Sequence, residues 1–222
     1  MIKKQVIAFC TLLLLLSSAL AVGAKTDSTT LDKSSTSARN DPVAMLNASV
    51  VKTQNLLIKK SKILSKDPAA LIQVIDQHIM PILATNVIAQ LLVGQKRWKN
   101  ASKAAQNEFI ARMTHLLANT YAKNVGQAGD YKIVINPFLN DSWQHEQIIV
   151  VTGKIVNIAK DTSADLNVYL LKNKQGEWKV YDLSIAGISI LENLKAQFKR
   201  YASLAAINQA IKDKNVKLAN QK

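Results

Sequence analysis

The sequence predicts an α+β domain in which helices pack against a twisted antiparallel sheet of four strands. In the first half of the chain, apolar residues recur at helical spacing and capping signals mark where helices begin. In the second half, four runs rich in Val, Ile, Tyr and Trp are joined by short turns, which is typical of an antiparallel meander. The helical pattern then returns, so helices precede and follow the strands, as in α+β folds.

The helical half begins with two starts that are marked by proline. Asp41-Pro42 and Asp67-Pro68 each place a capping aspartate before a proline at the first helical position. The first helix is expected to end near Leu64, and the second is interrupted at Pro81.

Two further helices are predicted before the strands. Thr85 or Asn86 is expected to cap the short helix "VIAQLLV", which stops at Gly94. Ser102 caps the next helix, which carries an apolar stripe at helical spacing. That stripe consists of Phe109, Met113, Leu116, Leu117 and Thr120.

The four predicted strands have apolar residues on more than one face. They are expected at residues 131–135, 147–158, 164–172 and 177–185. In the third strand, Leu166, Val168 and Leu170 share one face, and Tyr169 and Leu171 share the other. A sheet that is apolar on both faces must be covered on both sides or must line an interior space.

The junction after the last strand carries signals for a sharp turn into a helix. Ala186 and Gly187 break the strand, and Ser189 with Glu192 fits a capping box in which Glu192 reaches back to the cap. A final helix is expected from Leu204 to about residue 214, with roughly the last eight residues frayed.

The N-terminal segment has the three parts of a secretory signal peptide. Lys3 and Lys4 precede the apolar run "VIAFCTLLLLLSSALAV", and small residues follow it. Cleavage is predicted after Ala24, with Ala21 as the alternative. The predicted organisation is therefore a cleaved signal peptide (1–24), a disordered leader (25–40) and a single domain (41–222).

Composition restricts the chemistry and the partners of the mature chain. The only cysteine, Cys10, lies in the predicted signal peptide, so the mature chain would have neither a disulfide nor a thiol nucleophile. The formal net charge of +14 falls to +12 when Lys3 and Lys4 are removed. This charge serves either solubility or attraction to anionic lipid headgroups or an acidic protein face. Nucleic acid is disfavoured because the basic residues are not interleaved with stacking aromatics.

The sequence lacks the motifs of the common enzyme classes. It contains no HExxH, no P-loop, no glycine-rich dinucleotide fingerprint and no GxSxG elbow. His78, His115 and His145 have no metal-ligand spacing, so no metal site is expected. Asp182 shares a predicted strand face with Trp178. It is interpreted as a hydrogen-bond partner of the nearby loop, with a catalytic role as the alternative.

Three motifs in order resemble one family. The stretch "WKVYDLSIAGISILENLKAQF" (178–198) resembles the C-terminal signature of the MlaC-like family, the soluble periplasmic phospholipid carriers also called toluene-tolerance proteins. Upstream, "LLVGQKRWKNAS" (91–102) and "FIARMTHLLANTYAKNV" (109–125) resemble two further motifs of that family. The likeness covers roughly residues 42–211. Leu194-Lys195 departs from it, since many members have Tyr-Arg there.

The resemblance implies a cone-like fold in which twisted sheet and helices enclose a deep apolar cavity for a diacyl phospholipid. It also implies a carrier without a cofactor, working in the periplasm to maintain outer-membrane lipid asymmetry. Its expected partners are an inner-membrane ABC transporter complex with its substrate-binding subunit and an outer-membrane lipoprotein–porin complex. Two alternatives stay open: an exported enzyme, which needs a polar cluster inside the cavity, and an interaction module with a solid core.

The cavity walls are predicted from the helical stripes, the strand faces and the turn, taken together with the cavity that the resemblance implies. On the helix side the expected residues are Val87, Leu91, Phe109, Met113 and Leu116. On the side of the sheet and turn they are Val151, Val168, Leu170, Trp178 and Ile188. Each is interpreted as cavity wall, with ordinary core as the alternative. Gly187, Ser189 and Glu192 are expected to shape the turn and cap the following helix.

Overall fold

The computed structural model describes residues 41–220, of which the first half is helical. The helices there are α1 (Pro42–Leu64), α2 (Pro68–Val74), α3 (Thr85–Val93), α4 (Gln95–Lys99) and α5 (Lys103–Tyr121). A π-helical turn (Ile75–Ile79) and a 3-10 turn (Met80–Ile82) lead from α2 towards α3, and a 3-10 segment (Ala122–Asp130) leads into the sheet. Both aspartate caps are present: Asp41 accepts from the amide of Val43 at 2.8 Å, and Asp67 from that of Ala69 at 2.9 Å.

The second half is one antiparallel sheet followed by two helices. The strands are β1 (Tyr131–Ile135), β2 (Ile148–Asn157), β3 (Thr162–Lys172), β4 (Trp178–Ile185) and β5 (Ile188–Ser189), paired in that order. Helices α6 (Ile190–Phe198) and α7 (Leu204–Ala219) follow. The predicted α+β class is confirmed, with all four predicted strands present. The two-residue β5 is an addition, because the chain folds back on β4 before α6 begins.

A β-bulge interrupts the pairing of β3 with β4. The register passes from Val168–Leu183 and Tyr169–Asp182 to Leu170–Val180. Tyr181 is therefore an extra residue, and an extra residue exchanges the faces of the strand beyond it. As a result, Leu183 lies on the inner face with Val168, whereas Asp182 lies on the outer face. The prediction that Asp182 shares a face with Trp178 is wrong because periodicity alone does not show a bulge.

The turn between β4 and β5 has the backbone conformation that its sequence suggests. Ala186 and Gly187 both have positive φ, at 49° and 78°. Two successive positive φ values are the mark of a type I′ hairpin turn, in which glycine is favoured because it has no Cβ. The amide of Ala186 also donates to the carbonyl of Asp165 at 2.9 Å, which ties the turn to β3.

Asp182 and Ser189 together fix the start of α6. Ser189 Oγ accepts from the amide of Glu192 at 3.0 Å and donates to Asp182 Oδ2 at 2.6 Å. Asp182 Oδ1 accepts from the amide of Leu191 at 2.9 Å. The Glu192 carboxylate accepts from Lys195 Nζ at 2.8 Å instead of reaching back to the cap. The second acceptor at this helix start is therefore Asp182 rather than Glu192.

Two helix boundaries differ from the sequence prediction. Neither Thr85 nor Asn86 caps α3, because the N-cap position is Ala84, whose amide donates to the carbonyl of Val180 at 2.8 Å. Helix α7 continues past residue 214 because Asn215 bonds to α5. Its Nδ2 donates to the carbonyl of Arg112 at 3.1 Å, and its Oδ1 accepts from Asn119 at 3.2 Å. In both places a long-range contact determines the boundary.

The buried apolar residues form two clusters. The sheet cluster unites α1, α2, residues 75–83, residues 118–128 and the inner face of the sheet. The helical cluster unites α3 to α7. At its centre the Phe109 ring meets the rings of Trp98 and Phe198 edge to face, with centroids 6.1 and 5.9 Å apart.

Candidate functional site

An apolar cavity with a volume of about 120 Å³ lies within the sheet cluster. On the helix side it is lined by Leu46, Val50, Ile75, Ile79, Ile82, Leu83, Leu117 and Tyr121. On the sheet side it is lined by Ile135, Leu166, Val168, Val180 and Leu183. The cavity thus lies where α1, residues 75–83 and the end of α5 meet the inner faces of β1, β3 and β4.

The side chains that line the cavity are aliphatic, except for Tyr121. The Tyr121 phenol is the one polar group among them, and none of these residues carries a carboxylate, an imidazole or an amine. Such a wall can hold hydrocarbon by the hydrophobic effect and by dispersion contacts. It does not supply the paired acid and base that proton-transfer chemistry needs.

Asp182, for which a catalytic role was the alternative, lies beside Tyr181 at the bulge on the outer side of the sheet. The two oxygens of Asp182 accept from the amides of Leu183 and Leu191 and from Ser189, so this carboxylate is used in capping. Burial raises the pKa of Tyr181, and the nearby Asp182 carboxylate and Tyr169 raise it further. Tyr181 and Asp182 therefore lie outside the cavity, and neither places a polar group inside it.

Four residues predicted for the sheet side of the wall lie on the inner face of the sheet, and one of them lines the cavity. Val168 lines the cavity. Val151, Leu170 and Trp178 are buried in the same cluster but lie outside the lining. Trp178 is near Trp143 instead, with ring centroids 6.5 Å apart. The inner face of the sheet extends beyond the cavity, so a correct face does not by itself identify a wall residue.

The α5 residues predicted for the wall and the α5 residues that line the cavity lie on different faces of this helix. Phe109, Met113 and Leu116 belong to the helical cluster. Leu117 and Tyr121, one helical turn apart, line the cavity. Helix α5 lies between the two clusters and is apolar towards both, and the sequence stripe alone does not show which face adjoins a cavity.

Three predicted wall residues lie at the surface. Val87, Leu91 and Ile188 are 36%, 37% and 38% exposed, respectively. Val87 and Leu91 are one turn apart on α3, whose buried residues Ala89, Leu92 and Val93 face the helical cluster instead. Ile188 lies in the short β5, at the edge of the sheet.

Sequence reasoning missed the wall formed by α1 and residues 75–83. Leu46 and Val50 have the i, i+4 spacing of a buried helical face. Pro81 interrupts the apolar stretch "VIDQHIMPIL", which ends with the lining residues Ile82 and Leu83. Both signals predict burial, and neither distinguishes a cavity wall from solid core.

Within residues 41–220, no group of His, Cys, Asp and Glu is arranged to hold a metal ion. In the same range, no helix has both the length and the apolar character needed to cross a membrane. The predicted signal peptide and leader, residues 1–40, lie outside the described residues. His78, on the π-helical turn, has a buried Nδ1 without a hydrogen-bond partner in the described part of the chain.

A family model described as MlaC protein matches residues 48–213. The chain is also similar to a solved structure of a phospholipid-binding protein from Ralstonia solanacearum in complex with a phospholipid. The two share 22% sequence identity and superpose with a TM-score of 0.70, over 81% of this chain and 99% of the other. No curated protein sequence matches the chain.

Proposed function

Because the chain belongs to the MlaC family, we propose that it is a non-catalytic carrier whose cargo is a diacyl phospholipid. The observation that carries this proposal is the apolar cavity between α1, residues 75–83 and the inner face of the sheet. The protein from Ralstonia solanacearum, which has a similar fold, is described as phospholipid-binding and holds a phospholipid, and this supports the same cargo here.

The free energy of chain transfer explains why such a carrier encloses its cargo. Moving one CH₂ group from water into an apolar site gains ~0.8 kcal/mol, so two chains of about 15 carbons each gain roughly 20–25 kcal/mol. Escape through water is therefore slow. A membrane offers nearly the same gain, so exchange with a membrane-embedded partner is close to balanced and requires no covalent step.

Loading requires the cavity to widen. Its volume of about 120 Å³ is comparable to that of an engineered cavity of ~150 Å³ that binds benzene, and two acyl chains are far larger than benzene. We place the moving wall at residues 75–83. This segment contributes four lining residues from a π-helical turn, a 3-10 turn and the residue that follows, and such turns are frequent at functional sites.

Bound acyl chains should stabilise the fold as well as travel in it. At ~24 cal/mol per Å³, a cavity of this size costs about 3 kcal/mol of packing. Chains that fill the space restore those contacts. The carrier is therefore expected to unfold at a higher temperature with phospholipid than without it.

The proposed site of action is the periplasm. The predicted signal peptide would direct export of the chain to that compartment. There the carrier would shuttle phospholipid between an outer-membrane lipoprotein–porin complex and an inner-membrane ABC transporter complex with its substrate-binding subunit, and so maintain outer-membrane lipid asymmetry. The net charge of +12 expected for the mature chain favours docking on acidic protein faces or beside anionic headgroups.

The cavity favours a carrier over the two alternatives. An enzyme on this fold needs a polar cluster inside the cavity, whereas the lining is aliphatic and Asp182 is used to cap α6. An interaction module with a solid core needs no cavity, whereas one is present.

Native mass spectrometry tests the proposal. The mature protein would be produced in a bacterial periplasm and purified without detergent, and lipid extracts of the same sample would be analysed. The expected spectrum contains a species heavier than the bare chain by one diacyl phospholipid. A bare chain with no lipid in the extract contradicts the proposal.

A further inference from the structure

A second concave feature lies on the other side of α5 from the cavity. It is a surface groove of about 470 Å³ between α5, α6 and α7. Its apolar part includes Met113 and Leu116 of α5 and Leu194 of α6. We refer to this feature as the basic groove, because three cationic side chains also line it.

The cavity and the basic groove have a common wall. Leu117 and Tyr121 line both of them, one helical turn apart on α5. Both side chains are half-buried. These two side chains therefore lie between the cavity and the groove.

The cations of the basic groove are Arg200, Lys214 and Lys217, all of which are exposed. None of the three takes part in a salt bridge between described residues. The one carboxylate that lines the groove, Asp213, accepts from Gln209 at 2.8 Å. The side chains that line the groove therefore carry three positive charges and one negative charge.

Arg200 is held in place within this group. Its guanidinium lies 5.0 Å from the centroid of the Tyr201 ring and donates to the Tyr201 hydroxyl at 2.9 Å. Tyr201 also lines the groove. An arginine held in this way keeps donors for a phosphate, and guanidinium and ammonium groups are the usual partners of phosphate oxygens.

We propose that the basic groove is the headgroup site of the cavity. The acyl chains pass between Leu117 and Tyr121 into the sheet cluster, while Arg200, Lys214 and Lys217 hold the phosphate outside. This inference rests on the proposed function, since it assigns the two ends of one phospholipid to two adjoining features. The apolar side chains of the groove would contact the glycerol and the first carbons of each chain.

Two double variants with the same change in net charge test the charge contacts. Lys214→Gln/Lys217→Gln removes two cations from the groove, and Lys160→Gln/Lys212→Gln removes two exposed cations elsewhere. All four lysines are exposed, so both variants are expected to fold, which circular dichroism would check. Binding would be measured for phosphatidylglycerol and for diacylglycerol with the same chains.

The groove variant is expected to bind phosphatidylglycerol about tenfold more weakly than wild type does, as the loss of two exposed charge contacts implies. Its affinity for diacylglycerol should be unchanged, and the control variant should match wild type with both lipids. Equal losses in both variants, or no loss in either, would overturn the headgroup assignment. If wild type binds neither lipid, the proposed function itself fails, which is a different outcome.

A third arm separates a lipid phosphate from a free one. Inorganic phosphate at millimolar concentration is expected to compete weakly with phosphatidylglycerol, because it has no chains for the cavity. Strong competition that disappears in Lys214→Gln/Lys217→Gln would instead indicate an anion site independent of the cavity. That result would overturn the inference.

A single engineered thiol tests the passage at the common wall. Because Cys10 is the only native cysteine, Leu117→Cys gives the mature chain one thiol. Bound phosphatidylglycerol is expected to slow maleimide labelling at position 117 severalfold. It should leave labelling unchanged in the control Leu139→Cys, since Leu139 is fully exposed outside the groove. Equal labelling rates at position 117 with and without lipid would contradict the passage.

Discussion

The sheet cluster and the helical cluster are built from similar aliphatic residues but are packed differently. In the helical cluster, the Phe109 ring is 1% exposed and is held edge to face between Trp98 and Phe198. In the sheet cluster, aliphatic side chains from separate elements meet around a volume of about 120 Å³. Under the proposed function, we interpret the helical cluster as a scaffold and the sheet cluster as the container for the acyl chains. Equal burial then does not mean equal function.

The largest expected effect is the loss of the central ring of the scaffold. Phe109→Ala should lower the free energy of unfolding by ~3–5 kcal/mol, because it leaves a cavity between the rings of Trp98 and Phe198. Urea denaturation measures this change. The amount of phospholipid per folded molecule, from native mass spectrometry, should stay at the wild-type value. Loss of lipid from a variant of unchanged stability would contradict the division into scaffold and container.

A smaller effect is expected from enlarging one side chain of the container. Val168 and Val151 face each other across β3 and β2, but Val168 lines the cavity and Val151 does not. Val151→Phe should therefore cost about 1–3 kcal/mol by overpacking, whereas the added ring of Val168→Phe can enter the cavity at a lower cost. Val168→Phe should also reduce the lipid that co-purifies.

Thermal unfolding and lipid extraction of this pair give the comparison. Equal destabilisation with full lipid content in both variants would show that the volume beside Val168 is not the acyl-chain site.

The turn between β4 and β5 offers a position where a substitution should stabilise the protein. Ala186 has a φ of 49°, and a left-handed backbone costs a residue with a Cβ about 1–2 kcal/mol. Glycine at this position removes that cost. It also makes the unfolded chain more flexible, which lowers stability by ~0.4–1 kcal/mol. The net effect of Ala186→Gly should therefore be to stabilise the folded protein by roughly 0.5 kcal/mol. Ala196→Gly, at an exposed position in α6, should instead destabilise by about 1 kcal/mol. Chemical denaturation measures the free energy of unfolding of both variants. A change of the same sign in both would contradict this prediction.

The smallest effect concerns acid sensitivity at residues 75–83, the wall that we propose to move. Burial lowers the pKa of His78, and Lys52 and Lys60 lower it further. Since the unfolded chain then binds a proton more readily, stability is full above the ordinary imidazole pKa of 6.5 and declines as the pH falls below it. His78→Gln should flatten the decline between pH 7 and 5, with His145→Gln as the control. Parallel pH profiles for wild type and His78→Gln would oppose this expectation.

The sequence was sufficient to predict the order of the longer elements, because capping aspartates, apolar stripes and strand runs are local signals. The five-residue α4 and the two-residue β5 were not predicted. Asp41, Asp67 and Ser102 each cap the helix that follows them. The bulge at Tyr181 could not be predicted in this way, since it depends on how β4 pairs with β3. Because of this one extra residue, Asp182 lies on the outer face of the sheet, where it caps α6, and Leu183 lies on the inner face at the cavity.

The cavity itself was predictable as a feature but not as a set of residues. Apolar strand faces indicated either cover on both sides or an interior space, and of the ten predicted wall residues Val168 is the one that lines the cavity. The helix side of the wall depends on how α5 is rotated about its axis. Phe109 and Met113 face the helical cluster, whereas Leu117 faces the cavity. Both faces of α5 are apolar in sequence. Only the packing of α5 between the two clusters shows which face adjoins the cavity.

Anomalous diffraction from crystals grown with a phospholipid brominated in its acyl chains would show whether the apolar cavity holds those chains. The bromine positions locate the chains without reference to any assumed wall. The account predicts peaks between residues 75–83 and the inner face of the sheet, near Val168 and Leu183. Peaks within the helical cluster near Phe109, or on the outer face of the sheet, would contradict it.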